Sequence, residues 1–219
     1  MVAITKTKKV RVKTAKYKSK SSVKWLARQL NDPFVKKAHE LGYRSRATFK
    51  IIEIDDKFHL FKIGKKVADI GSAPGGWSDI AVKRCGKGNV AAIDILEMKP
   101  IDGVHFKQVD FNLDEAKEFL NTALSGKADV VISDIAPNTT GNQSVDHLQI
   151  MALVEQAYYF AIEVLKEGGS FVAKVRQGGT ENSLLNEMKK HFSNIKHFKP
   201  NSSRKESAET YVIAQGFKV

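Results

Sequence analysis

The apolar positions change period several times along the chain, and each change marks an element. Trp25, Leu26, Leu30, Phe34, Val35 and Ala38 recur near helical spacing, with a break at Asp32-Pro33. A further helix is expected over about 45–58, where Phe49, Ile51, Ile52 and Ile54 supply its apolar faces. From Lys66 onward, short apolar runs alternate with helical stretches. Strands are expected at 66–70, 89–95, 105–111, 129–133, 170–175, 194–198 and 210–217. Helices are expected at 76–84, 113–124, 145–165 and 182–191, the third stopped by Glu167-Gly168-Gly169. This alternation predicts an α/β fold with a mostly parallel, seven-stranded sheet covered by helices on both faces. Right-handed crossovers then put a ligand crevice at the carboxyl ends of the strands.

Composition fits that picture. The chain has 219 residues, 42% of them hydrophobic, enough for one domain with a full core. Residues 1–21 read as a basic arm with too few large apolar side chains to fold, and 22–219 as a single domain. No apolar run reaches the roughly 18 residues of a membrane span, so no membrane partner is expected. The N-terminal lysines have no apolar stretch behind them to make a secretory signal. The single cysteine, Cys85, excludes an internal disulfide and a thiolate metal cluster. The six histidines show no ligand spacing, so no metal is expected. These features predict a soluble, cytoplasmic protein.

Charge adds a direction. The net charge is +12, yet residues 1–30 alone hold ten Lys or Arg and no acid. Residues 31–50 add a net +3, so the remaining 169 residues stand at −1. A basic front end on a near-neutral body is an attachment device for a polyanion. Residues 24–50 interleave cations with Trp25, Phe34, Tyr43 and Phe49, a pattern that lets cations follow phosphates while rings stack on bases. Most of these rings are read as core anchors for the N-terminal helices at about 22–60.

The segment V-A-D-I-G-S-A-P-G-G-W, 67–77, runs from strand into helix. Gly71 permits a sharp turn, and Gly75 and Gly76 let a ligand approach the backbone. The helix start offers free N–H groups. Asp94 follows Gly71 by 23 residues and ends the second strand, where a carboxylate can accept from both hydroxyls of an adenosine ribose. Asp69, Asp110 and Asp134 stand near the carboxyl ends of the first, third and fourth strands. Turn chemistry accounts for one or two such acids. S-adenosylmethionine, which presents amino, sulfonium, ribose and adenine groups along the strand ends, accounts better for all four. The loop is not G-x-G-x-x-G, and no Tyr is followed four residues later by Lys, so a nicotinamide cofactor fits less well.

Five separated blocks carry a resemblance. They are R-S-R-A-x-F-K at 44–50, D-I-G-S-A-P-G-G-W at 69–77, S-D-I-A-P-N at 133–138, F-V-A-K-V at 171–175 and S-S-R…E-x-Y at 202–211. In order and spacing the chain resembles the FtsJ/RrmJ family of RNA ribose 2′-O-methyltransferases from about Ser22 to Phe217. The resemblance implies a Rossmann-like S-adenosylmethionine-dependent methyltransferase fold. It implies a catalytic tetrad of Lys50, Asp134, Lys174 and Glu209. The cofactor would be held by Gly75, Trp77, Asp94, Asp110 and Asp134 and leave as S-adenosylhomocysteine. The implied substrate is a uridine ribose in 23S ribosomal RNA within the large ribosomal subunit, and a monomer is expected because the polyanion is the large partner. A transfer-RNA methyltransferase of the same family shares these residues, and a non-catalytic ribosome-assembly module could retain the fold. Arg44 and Arg46, close to Lys50 in the chain, and Arg204 and Lys205, close to Glu209, are the expected RNA contacts.

The chemistry suits the tetrad. Methyl transfer from a sulfonium is an in-line displacement, so the enzyme must align a ribose oxygen and manage its proton. Lys174 lies in an apolar strand, where an unpaired charge is costly. A lysine acts as a base when its neutral form is populated. Desolvation and neighbouring cations favour that form, and neighbouring carboxylates oppose it. Lys174 thus serves either as a base or, charged, as an electrostatic partner for a developing alkoxide.

Overall fold

The computed structural model describes residues 10–17, 19–137, 141–176 and 182–219. Residues 1–9 of the basic arm and Asn138 of the S-D-I-A-P-N block lie outside these.

Two short helices lead the chain. Helix α1 spans Lys20–Leu30, capped by the Ser19 hydroxyl, which accepts from the Ser22 N–H. Helix α2 spans Pro33–Glu40, and its N-cap Asp32 accepts from the Phe34 N–H. Pro33 fits the first helical position because its missing N–H would have no partner there. The Asp32-Pro33 pair therefore does break the helical stretch, as its sequence predicts. Helix α3 spans Thr48–Phe58.

Strands and helices then alternate: β1 Val67–Ile70, α4 Gly76–Cys85, β2 Val90–Asp94, β3 Val104–Gln108, α5 Asp114–Ala123 and β4 Ala128–Ser133. There follow α6 Gln143–Val164, β5 Leu165–Arg176, α7 Asn182–His191, β6 Phe192–Phe198 and β7 Glu209–Phe217. The sheet has seven strands in the order β3-β2-β1-β4-β5-β7-β6. The first five are parallel, and β7 runs antiparallel between β5 and β6. The order reverses between β1 and β4, which makes their carboxyl ends the topological switch point.

Strand alternation sorts side chains between two cores. On one face Ala68, Ile70, Phe171, Ala173, Val212 and Ala214 pack under α5, α6 and α7. On the other, Val67, Ile132, Val172, Tyr211 and Ile213 meet Ile51 and Ile54 of α3 and Trp77 and Ile80 of α4. Each large side chain among these contributes roughly 1.5–3 kcal/mol by burial. The second face matters for function, because Lys174 and Glu209 share it by the same period of two.

The element boundaries differ from the sequence reading mainly at β5. Glu167-Gly168-Gly169 reads as a helix stop with a strand beginning at Ser170. The strand instead begins at Leu165, which pairs with Ala128, with a register shift between Ala128 and Val130. A glycine pair tolerates such an irregularity without ending the ladder. Among the described residues no helix is long and apolar enough to cross a membrane.

Candidate active site

The turn after β1 starts the site. Gly71 has φ +72°, and a Cβ there would lie 2.1 Å from Ile135 Cγ1, so only glycine fits. Gly75 has φ +99° and faces Met98 and Ile101, each 2.8 Å from the position of a Cβ. A Cβ on Gly76 would meet Thr48 Oγ1 at 2.6 Å and Ser45 Oγ at 2.8 Å. The absence of a Cβ at Gly75 and Gly76 thus leaves room for these neighbouring side chains.

A cavity of about 570 Å³ opens at the switch point, bordered by Gly71, Asp94, Asp110, Phe111, Asp134 and Ile135 among others. Asp94 Oδ2 accepts from the Ala73 N–H at 2.7 Å, and Oδ1 accepts from the Leu96 N–H at 2.8 Å. Each oxygen keeps a second lone pair for a ligand hydroxyl. Asp110 Oδ1 takes the backbone and side-chain N–H groups of Asn112, both at 2.9 Å. Trp77 contributes differently. Its ring is buried against Tyr211, with centroids 5.6 Å apart, and its Nε1 donates to Ala47 O at 3.0 Å. Only its backbone N–H, in the unpaired first turn of α4, remains for a ligand.

The lysines and carboxylates meet beside this cavity. Lys50 of α3 pairs with Glu209 Oε2 at 2.8 Å and lies 3.9 Å from Asp134 Oδ2. Lys174 of β5 pairs with Asp134 Oδ1 at 3.0 Å and donates to the Asp134 carbonyl at 2.6 Å. All four predicted residues therefore form one chain, drawn from α3, β5, β7 and the end of β4. Burial disfavours the charge on Asp134, but Lys174, Lys50 and two hydrogen-bond donors outweigh it and hold its carboxyl below the usual range.

Two members of this chain have no role in the sequence reading. Tyr211 donates to Asp134 Oδ1 at 2.9 Å, and burial followed by the nearby Asp134 pushes its phenol well up, so it stays a donor. Ser203 donates to Glu209 Oε1 at 2.8 Å. The E-x-Y spacing could have found Tyr211, since residues two apart share a strand face.

The predicted RNA contacts separate. Arg44 donates to the carbonyls of Pro74 at 3.3 Å, Lys99 at 2.7 Å and Pro100 at 2.7 Å. Arg46 pairs with Asp32 and donates to Ser202 O. Arg204 Nε bonds Asp32 at 3.0 Å, and Lys205 is exposed beside it. Among the described residues, no group of three or more His, Cys, Asp or Glu could hold a metal.

The switch-point crevice, the strand-end acids and the lysine–carboxylate chain together define a Rossmann-like methyltransferase. Residues 43–217 match the FtsJ-like methyltransferase family, and the chain belongs to that family. It is 54% identical over 215 residues to the Ribosomal RNA large subunit methyltransferase E of Paramagnetospirillum magneticum, covering 95% of this chain and 88% of that one. The protein of the same name from Erythrobacter litoralis is 54% identical over 208 residues, covering 95% and 94%. Among solved structures, a Plasmodium falciparum protein described as a ribosomal RNA methyltransferase superposes with a TM-score of 0.71 at 30% identity, over 80% of this chain and 98% of that one.

One acid lies deeper than the others. Asp69 is buried in β1 and accepts from the Ser78 hydroxyl at 2.5 Å. Burial pushes its carboxyl up to about 7, against the Ser78 bonds and aided by Asp134 and Asp94. The folded chain then holds a proton between about 4 and about 7 that the unfolded chain has lost, so this group's contribution to stability falls as pH rises through that window. Asp69→Asn keeps an acceptor for Ser78 and does not titrate. Its stability relative to wild type should therefore rise across that window and level off above it. Urea denaturation at a series of pH values measures this, and a difference constant with pH would contradict it.

Proposed function

We propose that the protein transfers the methyl group of S-adenosylmethionine to the ribose 2′-hydroxyl of a uridine in 23S ribosomal RNA, leaving S-adenosylhomocysteine. The position of Asp134 carries this reading. One side of it borders the cavity, and the other binds the lysines. A methyl donor in the cavity and a hydroxyl at the lysines would thus meet across one residue. The names of the relatives support ribosomal RNA of the large subunit as the acceptor.

The cavity fits the donor. A volume of about 570 Å³ suits an adenosine-sized ligand. Asp94 has acceptor capacity for the ribose hydroxyls. Asp110 Oδ2, without a partner among the described residues, can accept from the adenine amine. The backbone N–H groups of Gly76 and Trp77 lie at the start of α4. When bound, the sulfonium supplies an activated methyl group.

Asp134 takes two of the Lys174 N–H groups, through its carboxylate and its carbonyl. The third can point at the 2′-oxygen. In that state Lys174 is a hydrogen-bonding cation that steadies charge on the oxygen as the new bond forms. The hydroxyl proton passes to water as the oxygen takes the methyl group, so the charge that Lys174 steadies is negative. Lys50, held by Glu209, completes the positive wall and orients the ribose. Arg44 we assign to bracing the cavity, because its three carbonyl partners tie the turn after β1, which lines the cavity through Gly71 and Ala73, to the segment after β2, which lines it through Ile95 and Leu96. Arg46, Arg204, Lys205 and the N-terminal lysines face the RNA. We expect a monomer working in the cytoplasm.

Two variants test the assignment. Lys174→Ala should lower single-turnover methyl transfer to 23S RNA on the order of 10²–10⁴-fold. Its affinity for S-adenosylhomocysteine should stay near wild type. Labelled donor and mass-spectrometric mapping of 2′-O-methyl sites give the readout, and full turnover would remove Lys174 from the reaction. Arg44→Ala should weaken S-adenosylhomocysteine binding about tenfold by calorimetry without RNA, as expected for lost carbonyl bonds. Unchanged affinity would detach Arg44 from the cavity.

A further inference from the structure

The connection from β6 to β7 is clamped at both backbone polarities by α3 and the segment just before it. Glu53 accepts from the N–H groups of Asn201 at 2.5 Å and Ser202 at 2.9 Å, and Arg46 donates to Ser202 O. The next residue, Ser203, reaches Glu209 of the tetrad. Across a groove of about 550 Å³, α1 faces this turn with Lys24 and Arg28. The groove walls carry Lys24, Arg28, Arg46, Arg204 and Lys205 against Asp32 and Glu206.

Asp32 organises these cations. It is 8% exposed, and its Oδ1 caps α2. Its Oδ2 takes both the Arg46 guanidinium and Arg204 Nε. One carboxylate oxygen therefore fixes two guanidinium planes. Among the described residues, Arg46 Nε, Arg204 Nη2 and Ser202 Oγ are buried without a hydrogen-bond partner. Leaving such groups unmet in the wall of a cationic groove is costly, and an anion seated in the groove offsets that cost by pairing with its cations.

We propose that this groove seats a phosphodiester of the substrate RNA strand, and that Asp32 is the positioning residue that holds Arg46 and Arg204 in register for it. The proposal rests on the RNA reading above. Planar guanidiniums suit a phosphate's paired oxygens, and such a contact gives register without reading bases. Ser203 makes the seat continuous with the tetrad, so the bound phosphate flanks the ribose offered to Lys174.

Asp32→Asn separates this role from simple charge. Asparagine also caps helices, so α2 keeps its N-cap. Removing an acid from an RNA-binding face should tighten binding if only net charge counts. The seat predicts the opposite: affinity for a labelled oligouridylate, read by fluorescence anisotropy, should fall about tenfold. Arg204→Gln, at a partly exposed position, should reduce the slope of log affinity against log salt by about one. S-adenosylhomocysteine binding checks that each variant is folded, and if Asp32→Asn fails that check, Arg204→Gln decides. Equal or tighter binding by a folded Asp32→Asn, or an unchanged slope in Arg204→Gln, overturns the seat. If both variants shift as expected but wild type methylates no 23S RNA, the seat stands and the ribosomal reading falls.

Discussion

The Asp134 carboxylate is the constraint around which the site is built. A half-buried carboxylate at a strand end is expensive unless partners meet it. Here the partners are Lys174, Tyr211 and, at longer range, Lys50. They come from three elements far apart in sequence, so the sheet must bring them together. It does so through register. Lys174 stands opposite Tyr211 in the antiparallel β5–β7 pair, and Arg176 stands opposite Glu209. Residues two apart share a face, so Tyr211 and Glu209 both look toward α3. Inserting β7 between β5 and β6 is therefore what completes the tetrad.

The same arrangement separates charge by sign. The cavity side presents Asp94 and Asp110, suited to a cationic donor. The N-terminal side presents Lys24, Arg28, Arg204 and Lys205, suited to a polyanion. The tetrad stands at the seam with two lysines and two carboxylates, nearly neutral in sum. On the function proposed above, a cationic methyl donor and a polyanionic RNA would each meet the opposite charge.

Much of this was legible in the sequence, for identifiable reasons. Strand and helix order followed from apolar period, and the acids at strand ends followed from the turn after β1. The tetrad was not derivable from spacing. Lys50 and Glu209 are 159 residues apart, and only the five blocks of the resemblance joined them. Arginine partners were the least legible. Arg44 bonds carbonyls 30, 55 and 56 residues away, and a carbonyl leaves no mark in sequence. Asp32 looked like a helix cap and is one, but its second oxygen serves two arginines, one of them 172 residues distant.

Gly76 shows how closely the two halves of the site depend on each other. Its missing Cβ lets α3 approach α4, with Thr48 Oγ1 donating to Gly76 O at 3.4 Å. Trp77 then spans the contact, its Nε1 on Ala47 O and its ring on Tyr211. Lys50 lies two residues beyond Thr48 on the same helix. A side chain at 76 would press on the hydroxyls of Ser45 and Thr48, which stand just before and at the start of the helix that carries Lys50. The glycine at the start of α4 thus bears, through Thr48, on the helix that carries Lys50. Close helix packing is one physical reason for glycine there.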